Sequence, residues 1–216
     1  MLQEKHLYSR NELIDQIKHC GQSIIDNAES ILGNERPMIN MENKLEKEIA
    51  KRESKLIYIF LDVDGVLNNE EYIEECWEKN GHHAMHMNHV PFDPKCLNNL
   101  MILCQTLEKA GYDVQIILSS TWRLHEVDYE IVNARLAEYG LTLKDKTDYL
   151  SSNRGKEIEK YLLHNNIYRD FIILDDDKFD IEELYKDNLI NTSFKTGFNE
   201  EALKKAINYF TDKGIL

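Results

Sequence analysis

The sequence predicts an α/β domain: a mostly parallel sheet covered by helices on both faces, a three-layer arrangement. Short apolar runs at Leu56–Leu61, Val114–Leu118, Phe171–Leu174 and Leu189-Ile190 alternate with longer stretches of helical apolar spacing. Strands buried on both faces read as unbroken apolar runs, which is the mark of a parallel sheet enclosed by helices. Three of the runs also end in polar stations: Asp62-Val63-Asp64, Ser119-Ser120 and Asp175-Asp176-Asp177. In an open parallel sheet the C-terminal strand ends are where ligands bind.

The elements follow in order. Residues 1–55 form an N-terminal extension that reads as helical, with apolar spacing through Leu13, Ile14 and Ile17 and from Ile24 to Leu32. Gly33-Asn34 and Pro37 interrupt it, and Leu45 and Ile49 mark a second, highly charged helix. Residues 56–216 form the main domain, opened by the strand Leu56–Leu61. Residues 68–91 break the rhythm with a run of glutamates and then His82, His83, His86 and His89. They are expected to form a small lid over the cleft, too short for a domain-sized cap. Asp93-Pro94 opens a helix running to Ala110 and stopped by Gly111. After the strand Val114–Leu118, Asp128–Tyr139 is a helix ended by Gly140, and Gly155–Leu163 is another. Phe171–Leu174 and Leu189-Ile190 are the later strands, and Asn199–Phe210 closes the chain as a helix.

Composition bounds the function. The chain has 216 residues and a formal net charge of −13. That charge argues against strong non-specific binding to nucleic acid, whose phosphates demand a basic surface. It leaves room for a nucleic-acid end in a locally positive pocket. No stretch approaches the roughly 20 apolar residues that cross a bilayer, and Met1 to Asn11 lacks an apolar signal core, so a cytoplasmic protein with no membrane partner is expected. The four cysteines, Cys20, Cys76, Cys96 and Cys104, have no metal or redox spacing and read as reduced thiols.

The polar stations carry the chemistry. Asp62 is the candidate nucleophile toward a phosphoryl group, which splits hydrolysis into two easier steps through an aspartyl-phosphate. Asp64 lies two residues on, where side chains at a strand end point alike, and is the candidate acid and base. Gly65 allows a sharp turn over a small anion. A hydroxyl at Ser119 or Ser120 is expected to hold a phosphoryl oxygen. Trp122 reads as packing or as a base-stacking platform, and Arg123 as a phosphate contact or an exposed ion pair. Arg154 or Lys156, at a helix start, supplies a cation to neutralise phosphate and nucleophile. Three successive carboxylates at Asp175–Asp177, with Asp180 after them, repel one another unless a cation is present. Asp62, Asp176 and the Asp64 main-chain carbonyl would suit Mg²⁺, with Asp175 and Asp180 in support. The histidines raise Zn²⁺ as a rival, but a solvated or substrate-contacting loop fits them better, with His86 a candidate substrate contact.

At these stations the sequence resembles the haloacid dehalogenase-like phosphohydrolase superfamily. Asp62-Val63-Asp64-Gly65-Val66 matches its first motif, Ser120 (or Ser119) its second, Arg154 before Gly155 its third, and Asp176 with Asp180 its fourth. The resemblance implies a Rossmann-like sheet, Mg²⁺ and phosphoryl transfer, since phosphatases of the superfamily carry the acid matched by Asp64. The stretches LSSTWR, RGKEI and ILDDD are similar to compact domains associated with RNA-repair proteins, which implies a 3′- or 5′-phosphate end as substrate; a phosphorylated small molecule is the other substrate class left open. Other readings are phosphotransfer, a phosphoprotein substrate, or a non-catalytic module that meets a protein partner through residues 1–55.

Overall fold

The computed structural model describes residues 55–80, 91–150, 153–168 and 170–216. The helices expected within residues 1–54 and the four histidines of the lid lie outside the described residues. Lys55–Leu216 forms one compact unit.

The sheet has the strands β1 (Leu56–Leu61), β2 (Asp113–Leu118), β3 (Leu143–Lys146), β4 (Phe171–Asp175) and β5 (Leu189–Asn191), in the order β3-β2-β1-β4-β5. Every pairing is parallel. The helices are α1 (Glu70–Asn80), α2 (Pro94–Lys109), α3 (Glu126–Ala137), α4 (Arg154–His164), α5 (Phe179–Tyr185) and α6 (Glu200–Asp212), with a 3-10 turn at Thr121–Leu124. The expected Rossmann-like three-layer fold is present.

Period-2 alternation along the central strands sorts the core between two faces. Ile57, Ile59, Leu61, Ile116, Leu118, Ile172 and Leu174 pack with residues of α2, α3 and α6, among them Leu100, Leu103, Leu136, Ala206 and Phe210. Phe60, Ile117, Phe171 and Ile173 point the other way and pack with Ile158 and Leu162 of α4 and Ile181 of α5. Each such large side chain, fully buried, contributes roughly 1.5–3 kcal/mol. The runs are apolar throughout because both faces are covered.

Helix ends follow local chemistry. Asp93 caps α2 by accepting the Lys95 N–H at 2.8 Å, and Pro94 occupies the first turn, where its missing N–H costs nothing. Asn153 caps α4 and Asn199 caps α6 in the same way. α1 occupies the described part of the lid segment. Its first turn is tied down by Glu70 N–H donating to the Phe194 carbonyl (2.9 Å) and by Asn69, whose side chain caps Tyr72 and donates to Asp93.

The register positions the site. Leu61 pairs with both Leu118 and Leu174, so β1, β2 and β4 end in one row. Asp62 N–H donates to the Leu174 carbonyl and Ser119 N–H to the Leu61 carbonyl. The residues that follow each strand therefore emerge side by side. β1 is also where the strand order reverses direction, the switch point at which open α/β sheets bind ligands.

Candidate active site

Asp62 leaves β1 nearly buried, 5% exposed. Arg154, the first residue of α4, brings its Nη1 to 3.2 Å from Asp62 Oδ1 and 2.6 Å from Asp175 Oδ2. One guanidinium thus bridges acids from two different strands. The Ser120 hydroxyl favours the charged form of the Asp62 carboxylate. Oxygens of Asp62, Asp175 and Asp176 lie within 4.8 Å of one another, the one cluster of metal-ligand type among the described residues. Asp175 has one oxygen on Arg154 and the other on the Asp177 N–H at 3.0 Å. Asp62 and Asp176 have fewer partners than Asp175 and are the first carboxylates a cation would use. The donors are all oxygens, the set that hard divalent cations take.

Electrostatics point the same way. Burial pushes the Asp62 carboxyl above its ordinary range, and Arg154 and the Ser120 hydroxyl oppose that. Asp175 is pushed up to about 7 by burial and by Asp62. Burial and Asp62 also raise Asp176. Burial alone would lower Arg154, but Asp62 and Asp175 more than offset this and hold it firmly charged. One guanidinium does not neutralise three clustered acids, and a bound cation would relieve what remains.

The loops that meet here are tied together. Gly65 has φ +71, and a Cβ on it would press into the Asp176 side chain, 2.5 Å from Oδ2. Only glycine lets the β1 loop pass this close to the β4 loop. Thr192 donates its hydroxyl to the Gly65 carbonyl at 2.7 Å, and Asn191 donates to the carbonyls of Asp175 and Asp176. Asp180, expected near the metal, instead accepts the Arg154 N–H at 2.6 Å. It holds the start of α4, where Gly155 packs against the Asp180 carbonyl.

Open alternatives narrow and one expectation changes. Of the two candidate cations, Arg154 reaches Asp62, whereas Lys156 is exposed and bound through its N–H to the Asn153 side chain. Arg123 is neither a phosphate contact nor an exposed ion pair. It is 3% exposed and donates to the carbonyls of Ser119 (2.7 Å), Ser120 (2.6 Å) and Thr147 (2.9 Å). It also pairs with Glu157 at 2.5 Å, which ties the end of β2 to α4. Trp122, read as packing or base stacking, packs its ring on Phe92 and donates its indole N–H to Asp64 at 2.9 Å. Between Ser119 and Ser120, the hydroxyl that favours the charged Asp62 is that of Ser120; Ser119 is buried and its hydroxyl has no hydrogen-bond partner. His86 lies outside the described residues.

Sequence reasoning missed Asn68, Glu157, Asn191 and Thr192. Asn68, fully buried, donates to Asp64 at 2.8 Å. An asparagine four residues after the second acid, in a tight turn, was the available signal. The other three act across 15 to 127 residues of sequence and had none. A separate polar concavity of about 520 Å³, between α1 and the starts of α2 and α6, shares no residue with this cluster.

A parallel sheet that gathers DxDG carboxylates, a hydroxyl, a guanidinium and further acids at its switch point defines a haloacid dehalogenase-type (HAD-type) phosphohydrolase domain. More particularly, residues 58–203 match the family model described as the HAD domain in Swiss Army Knife RNA repair proteins, and the chain belongs to that family. No curated protein and no solved structure matches the chain.

Proposed function

We propose that this domain is a Mg²⁺-dependent phosphomonoesterase that forms an aspartyl-phosphate on Asp62 and acts on phosphate at RNA or nucleotide ends. The observation that carries the reading is the Arg154 bridge between Asp62 and Asp175, with Asp176 beside them. It supports a nucleophile held next to a fixed positive charge, with oxygen donors to spare. Mg²⁺ held by Asp62 and Asp176 would draw off phosphoryl charge.

The protein's own groups supply the rest. Arg154 faces the anion and offsets repulsion between phosphate and Asp62. The Ser120 hydroxyl favours the charged Asp62 carboxylate and is available to a phosphoryl oxygen. An Asp62 oxygen attacks phosphorus as the bond to the leaving oxygen breaks. That oxygen takes a proton from Asp64 and departs as an alcohol. Asp64, now a carboxylate, takes a proton from water as the water oxygen attacks phosphorus. The bond to Asp62 breaks and inorganic phosphate leaves. The RNA-end substrate rests on the family's description. The chain's net charge of −13 fits recognition of a terminal phosphate better than a broad grip on the polymer.

The test is a panel of p-nitrophenyl phosphate, nucleotides, sugar phosphates, phosphopeptides and 3′- and 5′-phosphorylated RNA oligonucleotides, with and without Mg²⁺. The expected result is Mg²⁺-dependent release of phosphate, fastest from an RNA end and lost in Asp62→Asn. No turnover on any substrate would overturn the proposal, and a preference for phosphopeptides would overturn its substrate class.

A further inference from the structure

Asp64 is more tightly held than a simple acid–base residue requires. Its Oδ2 accepts the Trp122 Nε1–H at 2.9 Å and its Oδ1 accepts the Asn68 Nδ2–H at 2.8 Å. Asn68 is itself fixed, since its Oδ1 accepts the Gly65 N–H at 3.2 Å. The indole is fixed as well. Its ring packs on Phe92 with centroids 5.5 Å apart, and the next residue, Arg123, is locked among three carbonyls and Glu157. A carboxylate with a donor on each oxygen cannot rotate about its last torsion without losing both. One lone pair per oxygen stays free and points in a set direction.

We propose that Trp122 is a positioning residue which, together with Asn68, aims the remaining lone-pair position of Asp64 that carries the proton, when Asp64 acts as the acid, at the leaving-group oxygen. The proposal rests on the phosphomonoesterase reading above. An indole N–H is a donor only and does not exchange its proton with the substrate, so Trp122 sets direction and leaves the transfer to Asp64. The step it serves is the first one: the phosphorus–oxygen bond breaks, its electron pair stays on the departing oxygen, and the Asp64 proton moves to that oxygen. A p-nitrophenolate leaves without a proton, whereas an alkoxide such as a ribose hydroxyl does not. Misaiming Asp64 therefore slows alkyl esters selectively.

The experiment compares kcat and KM of wild type and Trp122→Phe on p-nitrophenyl phosphate and on an alkyl phosphate such as glycerol phosphate or a nucleoside monophosphate. Phenylalanine keeps an aromatic body against Phe92 and removes only the donor. The expected result is a fall in kcat on the alkyl ester about tenfold greater than on the aryl ester, with KM little changed, a fraction of the 10²–10⁴ that general acids supply. Asn68→Ala, which removes the other donor, should shift the ratio the same way and serves if Trp122→Phe folds poorly. In an Asp64→Asn background, Trp122→Phe should leave the ratio where it is. Equal losses on both esters would overturn the proposal and leave the phosphatase reading intact. So would a KM rise confined to nucleoside-bearing substrates, which would make Trp122 a stacking platform. Absence of any turnover by wild type would overturn the phosphatase reading and the proposal together.

Discussion

Replacing Gly65 with alanine tests whether the β1 and β4 loops meet as closely as described. Two costs are separable. The first is conformational: Gly65 has φ +71, and an L-residue in the left-handed region costs roughly 1–2 kcal/mol. The second is steric: a Cβ would lie 2.5 Å from Asp176 Oδ2 and 2.8 Å from Asp176 Cβ. Forcing a methyl into such a contact costs about 1–3 kcal/mol. Gly140 supplies the control, because it too has φ +71 but no atom within 4 Å of where its Cβ would be. Gly140→Ala should therefore show the conformational cost alone, while Gly65→Ala should show both. At roughly 2–4 °C per kcal/mol for a domain of this size, Gly65→Ala should melt about 10 °C below wild type and well below Gly140→Ala. Thermal unfolding followed by circular dichroism reads both variants. Because Asp176 must move to admit the methyl, Gly65→Ala should also need more Mg²⁺ for activity, and Gly140→Ala should not. Equal melting points for the two variants, with unchanged Mg²⁺ demand, would refute the close approach.

Two further outcomes follow from the buried charges. Arg123→Met leaves Glu157 buried without its partner and should cost about 3–5 kcal/mol in urea unfolding, as breaking one side of a buried pair does; a loss below about 1 kcal/mol would contradict the role given to Arg123. The raised carboxyls of Asp62, Asp175 and Asp176 bind protons in the folded chain that they release on unfolding. For Asp175 the window runs from the unfolded value of 3.8 up to about 7, so metal-free stability falls as pH rises through it. A cation takes the place of those protons, and the gain in melting temperature on adding Mg²⁺ should be larger at about pH 8 than at about pH 5.5. Equal gains at the two pH values would contradict the account.

The central strands were legible because burial on both faces leaves no position for a polar side chain. The stations were legible because each apolar run stops abruptly at the residues that act. β3 was not, since Leu143–Lys146 is a half-exposed edge strand of mixed polarity whose register slips against Ile116 and Ile117. α5 was missed because Phe179–Tyr185 buries only Ile181 and so carries almost no period. Within the site, Asp62 and Arg154 could be named from the stretches around them, but the fate of Arg123 could not. Its burial depends on Glu157, and the contact of Trp122 depends on Asp64, 58 residues earlier. Sequence gives a charged residue's position along the chain, and only packing decides whether it meets solvent or a partner.

The most direct measurement traps the covalent step. Protein turning over a ³²P-labelled phosphomonoester with Mg²⁺ is quenched in acid within milliseconds, digested and mapped. The account predicts hydroxylamine-labile label on the peptide bearing Asp62, absent from Asp62→Asn. Label on another residue, or steady turnover with no label on Asp62 under any quench time, would contradict it.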